Sequence, residues 1–166
     1  MIKKLNTITF LFLLLFELAY SKGGQVSSSQ HTAQFEHLSM KDGLSMNPIM
    51  DIAQDKTGFL WFATQDGLNR YDGYNFKVYR HDENDTNSIS DNFITSLYVD
   101  EKGKLWIGTY NAGLCWLEQN SNHFNKCISK EDDGGSIKHN RIFKIHDDKD
   151  GSLWMGTVGG VARISL

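Results

Sequence analysis

Short runs of alternating hydrophobic and polar residues fill most of this chain, and one such run occurs three times. Residues 58–64, 103–109 and 151–157 share the pattern Gly-x-Leu-Trp-apolar-small-Thr. Their tryptophans, Trp61, Trp106 and Trp154, are 45 and 48 residues apart. A period of about 40 to 50 residues is typical of β-propellers, in which one repeat forms one four-stranded antiparallel blade. The pattern therefore predicts an all-β fold, a β-propeller with about three blades, which is too few to close a ring.

The copies also agree at positions around the tryptophan. An asparagine precedes the first predicted strand of each copy, and a glycine follows the second. Positions that are the same in every blade suit the maintenance of the blade better than the recognition of an asymmetric ligand. We therefore expect a structural role for Trp61, Trp106, Trp154, Asn47, Asn92, Asn140, Gly67, Gly113 and Gly160.

Within the first copy, the alternation predicts four strands, at residues 49–54, 59–64, 68–71 and 75–79. The turn between the first two begins with an aspartate and ends with a glycine, and the other copies repeat this arrangement. An aspartate in such a turn hydrogen-bonds its own backbone, and glycine supplies a positive φ. The acidic turn residues are thus explained without a metal ion, and no metal site is predicted.

The repeat boundaries divide the chain into six segments. We expect a signal peptide at 1–21, a flexible lead-in at 22–34, a strand at 35–42 that closes the ring with the last blade, blade 1 at 43–87, blade 2 at 88–135 and a truncated blade 3 at 136–166. Because propellers close with about four to eight blades, the chain is expected to be a fragment of a longer protein.

The first residues have the composition of a secretory leader. Lys3 and Lys4 precede a largely apolar run at 8–16, and Ala19 and Ser21 supply the small residues of a cleavage site. The run is shorter than the about 20 residues that span a bilayer, although an uncleaved anchor stays an alternative. Cleavage removes two lysines and one glutamate and changes the formal net charge from −3 to −4. Such a chain has no basic surface for nucleic acid.

Candidate catalytic chemistry is sparse. The six histidines lack metal-ligand spacing, and no serine or cysteine lies in a nucleophile motif. Asp51 and His146 lie on predicted innermost strands, where some propellers carry catalytic groups, so a hydrolase or lyase stays an alternative. Cys115 and Cys127 lie on neighbouring predicted strands, and whether they form a disulfide is left open. No catalytic residue and no cofactor are predicted.

Residues 60–72, Leu-Trp-Phe-Ala-Thr-Gln-Asp-Gly-Leu-Asn-Arg-Tyr-Asp, resemble the two-component regulator propeller repeat. The second and third copies keep the first half of this pattern and depart from it at 115–117 and 162–164. The resemblance covers about residues 35–166 and implies a periplasmic propeller of a hybrid two-component sensor, a class common in gut Bacteroidetes. Such proteins detect oligosaccharides and continue into a transmembrane helix and a histidine kinase core, neither of which is expected in these residues.

The resemblance therefore implies a ligand-sensing segment on the periplasmic side of the inner membrane, without enzymatic activity of its own. Its expected partners are an oligosaccharide, the remaining blades and the membrane-spanning kinase of the parent protein. A homodimer is a further option. A protein-interaction or scaffold propeller is the main alternative function.

Loops that differ between the copies are the natural place for ligand specificity. In an up-and-down blade, the loop after the second strand lies on the same face as the connection to the next blade. The second copy has one extra residue in that loop, which brings an aromatic ring and an amide together. An aromatic platform beside amide, carboxylate or guanidinium groups suits a sugar. The candidate ligand-binding residues are Asp66, Tyr110, Asn111, His139 and Arg141.

Overall fold

The computed structural model describes residues 33–129 and 136–166. The predicted signal peptide at 1–21 and residues 22–32 of the predicted lead-in lie outside the described residues. The chain divides into two compact units, residues 1–36 and 37–166. The four described residues of the first unit form neither helix nor strand. All regular secondary structure of the described residues lies in the second unit.

Eleven strands of the described residues build three antiparallel sheets, one for each repeat. Blade 1 consists of β1 (Asp51–Gln54), β2 (Leu60–Thr64), β3 (Gly67–Tyr71) and β4 (Phe76–Tyr79). Blade 2 consists of β5 (Ile94–Val99), β6 (Leu105–Thr109), β7 (Leu114–Leu117) and β8 (Phe124–Cys127). Blade 3 consists of β9 (Ile142–Asp147), β10 (Ser152–Thr157) and β11 (Gly160–Ser165). Strands that are consecutive in the sequence are neighbours in each sheet, so the predicted all-β fold of antiparallel blades is confirmed.

The predicted strands of the first repeat agree with β1–β4 to within two residues at every end. The largest difference is at the start of β1, which begins at Asp51 instead of residue 49. Even there, the backbone N–H of Met50 donates to Ala63 O at 2.9 Å. The pairing of β1 with β2 therefore extends one residue beyond the strand itself.

The closing strand expected at residues 35–42 stays a prediction. In the structure, residues 33–39 have no regular secondary structure, and Met40–Asp42 forms a short 3₁₀ helix. The hydroxyl of Ser39 caps this helix, and Gly43 ends it with a φ of 107°. No helix in the described part of the chain has the length and apolar character needed to cross a membrane.

Each blade has the same hydrogen-bonded turn between its first and second strands. In blade 2, one carboxylate oxygen of Asp100 accepts the backbone N–H groups of Lys102 and Lys104, both at 2.9 Å. The other oxygen accepts the indole N–H of Trp106 at 2.9 Å. The same carboxylate–indole bond occurs in the other blades, at 2.8 Å each, as Asp55–Trp61 and Asp148–Trp154. The turn aspartate therefore also holds the tryptophan, a contact that was not predicted.

Hydrophobic side chains fill the spaces between the blades. The middle of this arrangement is β6, all of whose residues are buried. Its Leu105 and Ile107 pack in one cluster with side chains of blade 1, whereas Trp106 packs in a second cluster with blade 3. Successive residues of a strand point to opposite faces, so one apolar run can serve two interfaces.

The three repeated tryptophans differ in exposure. Trp61 and Trp106 are 3% and 4% exposed, whereas Trp154 is 38% exposed. The neighbours of Trp154 on β10, Leu153 and Met155, are buried in the cluster shared with blade 2. Trp154 points to the opposite face of blade 3, against which no further blade packs among the described residues.

Two of the three repeated glycines are required for both conformation and space. Gly67 and Gly113 have φ values of 114° and 78°. A Cβ atom at Gly67 would lie 2.6 Å from Tyr79 O, and one at Gly113 would lie 2.4 Å from Cys127 O. Gly160 has a similar φ of 106°, but an added Cβ would meet nothing within 4 Å. A side chain at Gly160 would therefore be strained without being in collision.

Cys115 and Cys127 are free thiols in the structure. In the pairing of β7 with β8, Cys115 lies opposite Lys126 and Cys127 lies opposite Leu114. Adjacent pairs point to opposite faces of a sheet, so the two sulfur atoms lie on different faces of blade 2. Cys115 is fully buried, with its Sγ 2.7 Å from the Ser90 hydroxyl, and this burial raises the pKa of its thiol.

Candidate functional site

Loops from adjacent blades are joined by hydrogen bonds on one face of the structure. The N–H of Gly67 donates to Asn92 O at 2.7 Å, and the N–H of Gly113 donates to Asn140 O at 2.9 Å. Each bond links the loop after the second strand of one blade to the connection that enters the next blade. Loop residues of two blades therefore meet at each junction between blades.

The repeated asparagines hold these connections in place. Each side-chain oxygen accepts one backbone N–H: Asn47 from Met40 at 3.0 Å, Asn92 from His81 at 2.7 Å, and Asn140 from Ser129 at 2.6 Å. His81 and Ser129 each follow the fourth strand of a blade by two residues. Met40 makes the matching contact in the first repeat.

Tyr110, the expected aromatic platform, is covered on both faces of its ring. The Phe93 ring stacks on it with a centroid distance of 4.5 Å and an interplanar angle of 11°. The central guanidinium carbon of Arg141 lies 3.9 Å from the Tyr110 centroid. Because a ring stacked this closely leaves no room for a guanidinium group beside it, Arg141 lies on the other face. The Tyr110 ring therefore has no free face for a sugar in this structure.

Two further hydrogen bonds fix the segment that carries Arg141. The Nε–H of Arg141 donates to Tyr110 O at 3.4 Å. The backbone N–H of Arg141 donates to Nδ1 of His139 at 3.0 Å. A ring nitrogen that accepts a hydrogen bond carries no proton, so the neutral His139 ring has its proton on Nε2.

A shallow pocket lies at this junction between blades 2 and 3. Its lining consists of Tyr110, Asn111, Ser129, Lys138, His139, Asn140 and Arg141. Four of the five predicted ligand-binding residues are thus brought together in one place. Lys138 was not predicted, although it lies in the same connection as two residues that were.

Gly159, in the loop of blade 3, lets that loop approach the pocket closely. A Cβ atom at this position would lie 3.2 Å from His139 Cβ and 3.3 Å from Lys138 Cβ. The first and second blades have a longer side chain or an extra residue in the same loop. Glycine occupies this loop position in the third copy, and alignment of the copies could have indicated it.

Asp66, the fifth predicted residue, lies at the preceding junction. Arg80 donates to both of its carboxylate oxygens, from Nε at 3.2 Å and from Nη2 at 2.9 Å. The hydrogen bonds from Arg80 hold the pKa of Asp66 below its usual value. The carboxylate is therefore neutralised by the protein itself, and the structure does not bring it into the pocket.

A polar cluster that was not predicted connects the innermost strands of all three blades. Oδ2 of Asp51 accepts Lys144 Nζ at 2.8 Å, the N–H of Leu97 at 2.9 Å and the hydroxyl of Ser96 at 3.1 Å. Asp51, Ser96 and Lys144 have the same repeat position in the three blades. Burial raises the pKa of Asp51, but these hydrogen bonds outweigh it and hold the pKa below the usual value.

This cluster bears on the catalytic alternative. The Oδ2 atom of Asp51 is engaged by groups of two other blades, and His146 is exposed on β9. Within residues 33–129 and 136–166, no three side chains of His, Cys, Asp or Glu are placed to hold a metal ion. The innermost strands thus have a polar cluster that links blades.

Comparisons with known proteins connect these blades to a family. A model of the two component regulator propeller family matches residues 43–66, 88–111 and 136–159. Histidine kinase P4 of Formosa agariphila is 50% identical over 56 residues, which are 34% of this chain and 4% of that protein.

Two solved structures have a similar fold. The extracellular domain of the hybrid two component system BT3049 from B. thetaiotaomicron matches with a TM-score of 0.68 and 28% identity, over 78% of this chain and 20% of that one. PorZ, a surface component of the type-IX secretion system of Porphyromonas gingivalis, matches with a TM-score of 0.58 and 20% identity, over 72% of this chain and 17% of that one. The likeness to PorZ concerns the fold alone. This chain spans no more than 20% of the length of any of these relatives.

Proposed function

We propose that these blades, which match the two component regulator propeller model, belong to the extracytoplasmic sensor domain of a hybrid two-component system. Two similarities support the proposal: one to the extracellular domain of such a system, and one to a histidine kinase. In this proposal the leader at 1–21 directs the blades to the periplasm. The kinase is part of the longer parent protein, and these residues have a binding role without catalysis.

The proposed ligand is an oligosaccharide, and the proposed site is the pocket between blades 2 and 3. The observation that supports it is the convergence of four predicted residues from two blades: Tyr110, Asn111, His139 and Arg141. Amide, imidazole and guanidinium groups are suited to the hydroxyl groups of a sugar. A ligand that contacts both blades favours one arrangement of the junction over others, and such a population shift can carry a signal.

Thermal denaturation of the full chain with a panel of oligosaccharides from digested plant and algal polysaccharides tests this function. We expect at least one oligosaccharide to raise the melting temperature and to remain intact. Asn111→Ala should weaken this effect, whereas Asp66→Ala, at the neighbouring junction, should leave it unchanged. Release of shorter sugars would indicate an enzyme instead. If no oligosaccharide raises the melting temperature and the chain captures a protein partner, the scaffold alternative is favoured.

A further inference from the structure

The pocket between blades 2 and 3 presents an excess of hydrogen-bond donors. Among the described residues, no acceptor lies within hydrogen-bond distance of the Arg141 terminal nitrogens, whereas its Nε–H is used by Tyr110 O. His139 offers a donor at Nε2, since its Nδ1 accepts a backbone N–H. Lys138 adds an exposed ammonium group. Three donor-bearing side chains of one connection therefore line the pocket.

No described carboxylate forms an ion pair with these cationic groups. Neither Arg141 nor Lys138 is in any ion pair formed within the described residues. Asp91 contacts the loop that carries Asn111, but its oxygens accept the backbone N–H groups of Phe93 and Asn111, at 3.1 and 2.9 Å. In the part of the chain that the structure describes, two cationic side chains of the pocket thus lack a carboxylate partner.

The preceding junction shows that this charge is not a requirement of the fold. There the guanidinium of Arg80 is neutralised by Asp66 through two hydrogen bonds. Both junctions are formed by the same kind of repeat, yet the repeat position of Asp66 is not occupied by a carboxylate in the second or third copy. Between blades 2 and 3, by contrast, Arg141 and Lys138 have no carboxylate partner within the described ranges.

Stacking gives the Arg141 guanidinium a fixed orientation. It lies 3.9 Å from the centroid of the Tyr110 ring, which Phe93 supports from the other face. A guanidinium that is already oriented loses less conformational freedom when it binds, and its N–H groups match two oxygens of a carboxylate or a sulfate. Tyr110 therefore supports the charged group, while its covered ring is unsuited to stacking on a sugar.

We propose that this pocket binds the anionic group of an acidic oligosaccharide, either a uronate carboxylate or a sulfate ester. Arg141 is the main contact, and Lys138 and His139 are additional donors. The inference rests on the proposed function, because it names the class of oligosaccharide that the same pocket takes.

Isothermal titration calorimetry of the full chain tests the charge requirement. The probes are a hexuronic acid oligomer, its carboxyl-reduced counterpart, a sulfated oligomer of a neutral sugar, and its desulfated counterpart. At least one acidic oligomer should bind about tenfold or more tightly than its neutral counterpart, as expected for a charge-assisted contact. This preference should decrease at high salt, which screens exposed charges. The two pairs of probes distinguish a carboxylate from a sulfate.

Matched variants test the assignment to Arg141. Arg141→Gln should reduce the affinity for the preferred acidic oligomer by about tenfold or more, and Arg141→Lys should retain part of it, because a lysine keeps the charge but lacks the fork of donors. Arg80→Gln removes the same charge from a paired arginine and should change the affinity by less than about twofold. Lys138→Gln alters an exposed side chain, so it should reduce the affinity without the risk of disturbing the Tyr110 stack.

The outcomes separate the two proposals. Equal affinities for acidic oligomers and their neutral counterparts would overturn the requirement for an anion and leave oligosaccharide sensing intact. Equal losses in Arg141→Gln and Arg80→Gln would overturn the assignment of the site. If none of the four probes and no member of the wider panel binds, the proposed function itself is wrong.

Discussion

Replacement of Asp100 by alanine tests how far the repeated turn stabilises a blade. The carboxylate of Asp100 accepts three hydrogen bonds: two from the backbone N–H groups of its own turn and one from the indole of Trp106. Both Asp100 and Trp106 are 4% exposed. Asp100→Ala therefore removes the acceptor of a buried indole N–H that water cannot easily reach.

The expected loss follows from these contacts. A hydrogen bond to a charged group contributes about 1.5–3 kcal/mol, and a buried donor left without a partner costs about 1–3 kcal/mol. The backbone N–H of Lys102 belongs to an exposed turn residue and can be hydrated in the variant. We therefore expect Asp100→Ala to lower the free energy of unfolding by about 3 kcal/mol. Asp100→Asn, which keeps one acceptor oxygen, should have an intermediate effect.

Urea denaturation followed by tryptophan fluorescence measures this loss. Asp148→Ala is the matched control, because it removes the same acceptor from Trp154, whose side chain is 38% exposed. Water can replace the carboxylate there, so the loss should be clearly smaller. An equal or larger loss from Asp148→Ala would refute the reasoning that burial of the indole determines the cost.

Three other predictions concern the described blades. The ionised Asp51 should stabilise the fold above its unfolded-state pKa, near 3.8, and this stabilisation should be lost as the pH falls through its lower folded-state pKa. Asp51→Asn should therefore flatten the acid limb of a pH–stability curve, and an unchanged limb would contradict this. Gly113→Ala should lower the free energy of unfolding, measured by urea denaturation, by about 3 kcal/mol, because backbone strain and the collision with Cys127 O add. Gly160→Ala should lower it by about 1 kcal/mol from strain alone. Similar losses in the two variants would show that the structure relieves the collision. Cys115 should react with a thiol reagent only on unfolding, since it is fully buried; rapid labelling of the native protein would contradict that burial.

The likeness to the family rests on features that repeat, whereas the candidate site rests on features that do not. The repeated tryptophans and asparagines form matching hydrogen bonds in each blade. The pocket between blades 2 and 3 depends on Tyr110 and Arg141, and their counterparts in the other copies are different residues. A propeller can thus keep one blade design and vary the chemistry at each junction.

The sequence by itself determined the strands and their order within each blade. These features depend on contacts within a single repeat, such as the alternation of buried side chains along β2 and the aspartate six residues before each tryptophan. Contacts of this kind recur at a constant spacing. They can therefore be recognised by comparing the copies of the repeat with each other.

Only the tertiary structure decided which candidate groups are free and which are already paired. Asp66 is neutralised by Arg80, the Tyr110 ring lies between Phe93 and Arg141, and Asp51 reaches across the blades to Lys144. These partners are 14 to 93 residues apart, and most of them belong to different repeats or to the connections between them. Their pairing depends on how adjacent blades approach one another and on which direction each side chain takes, and no spacing along the chain specifies either.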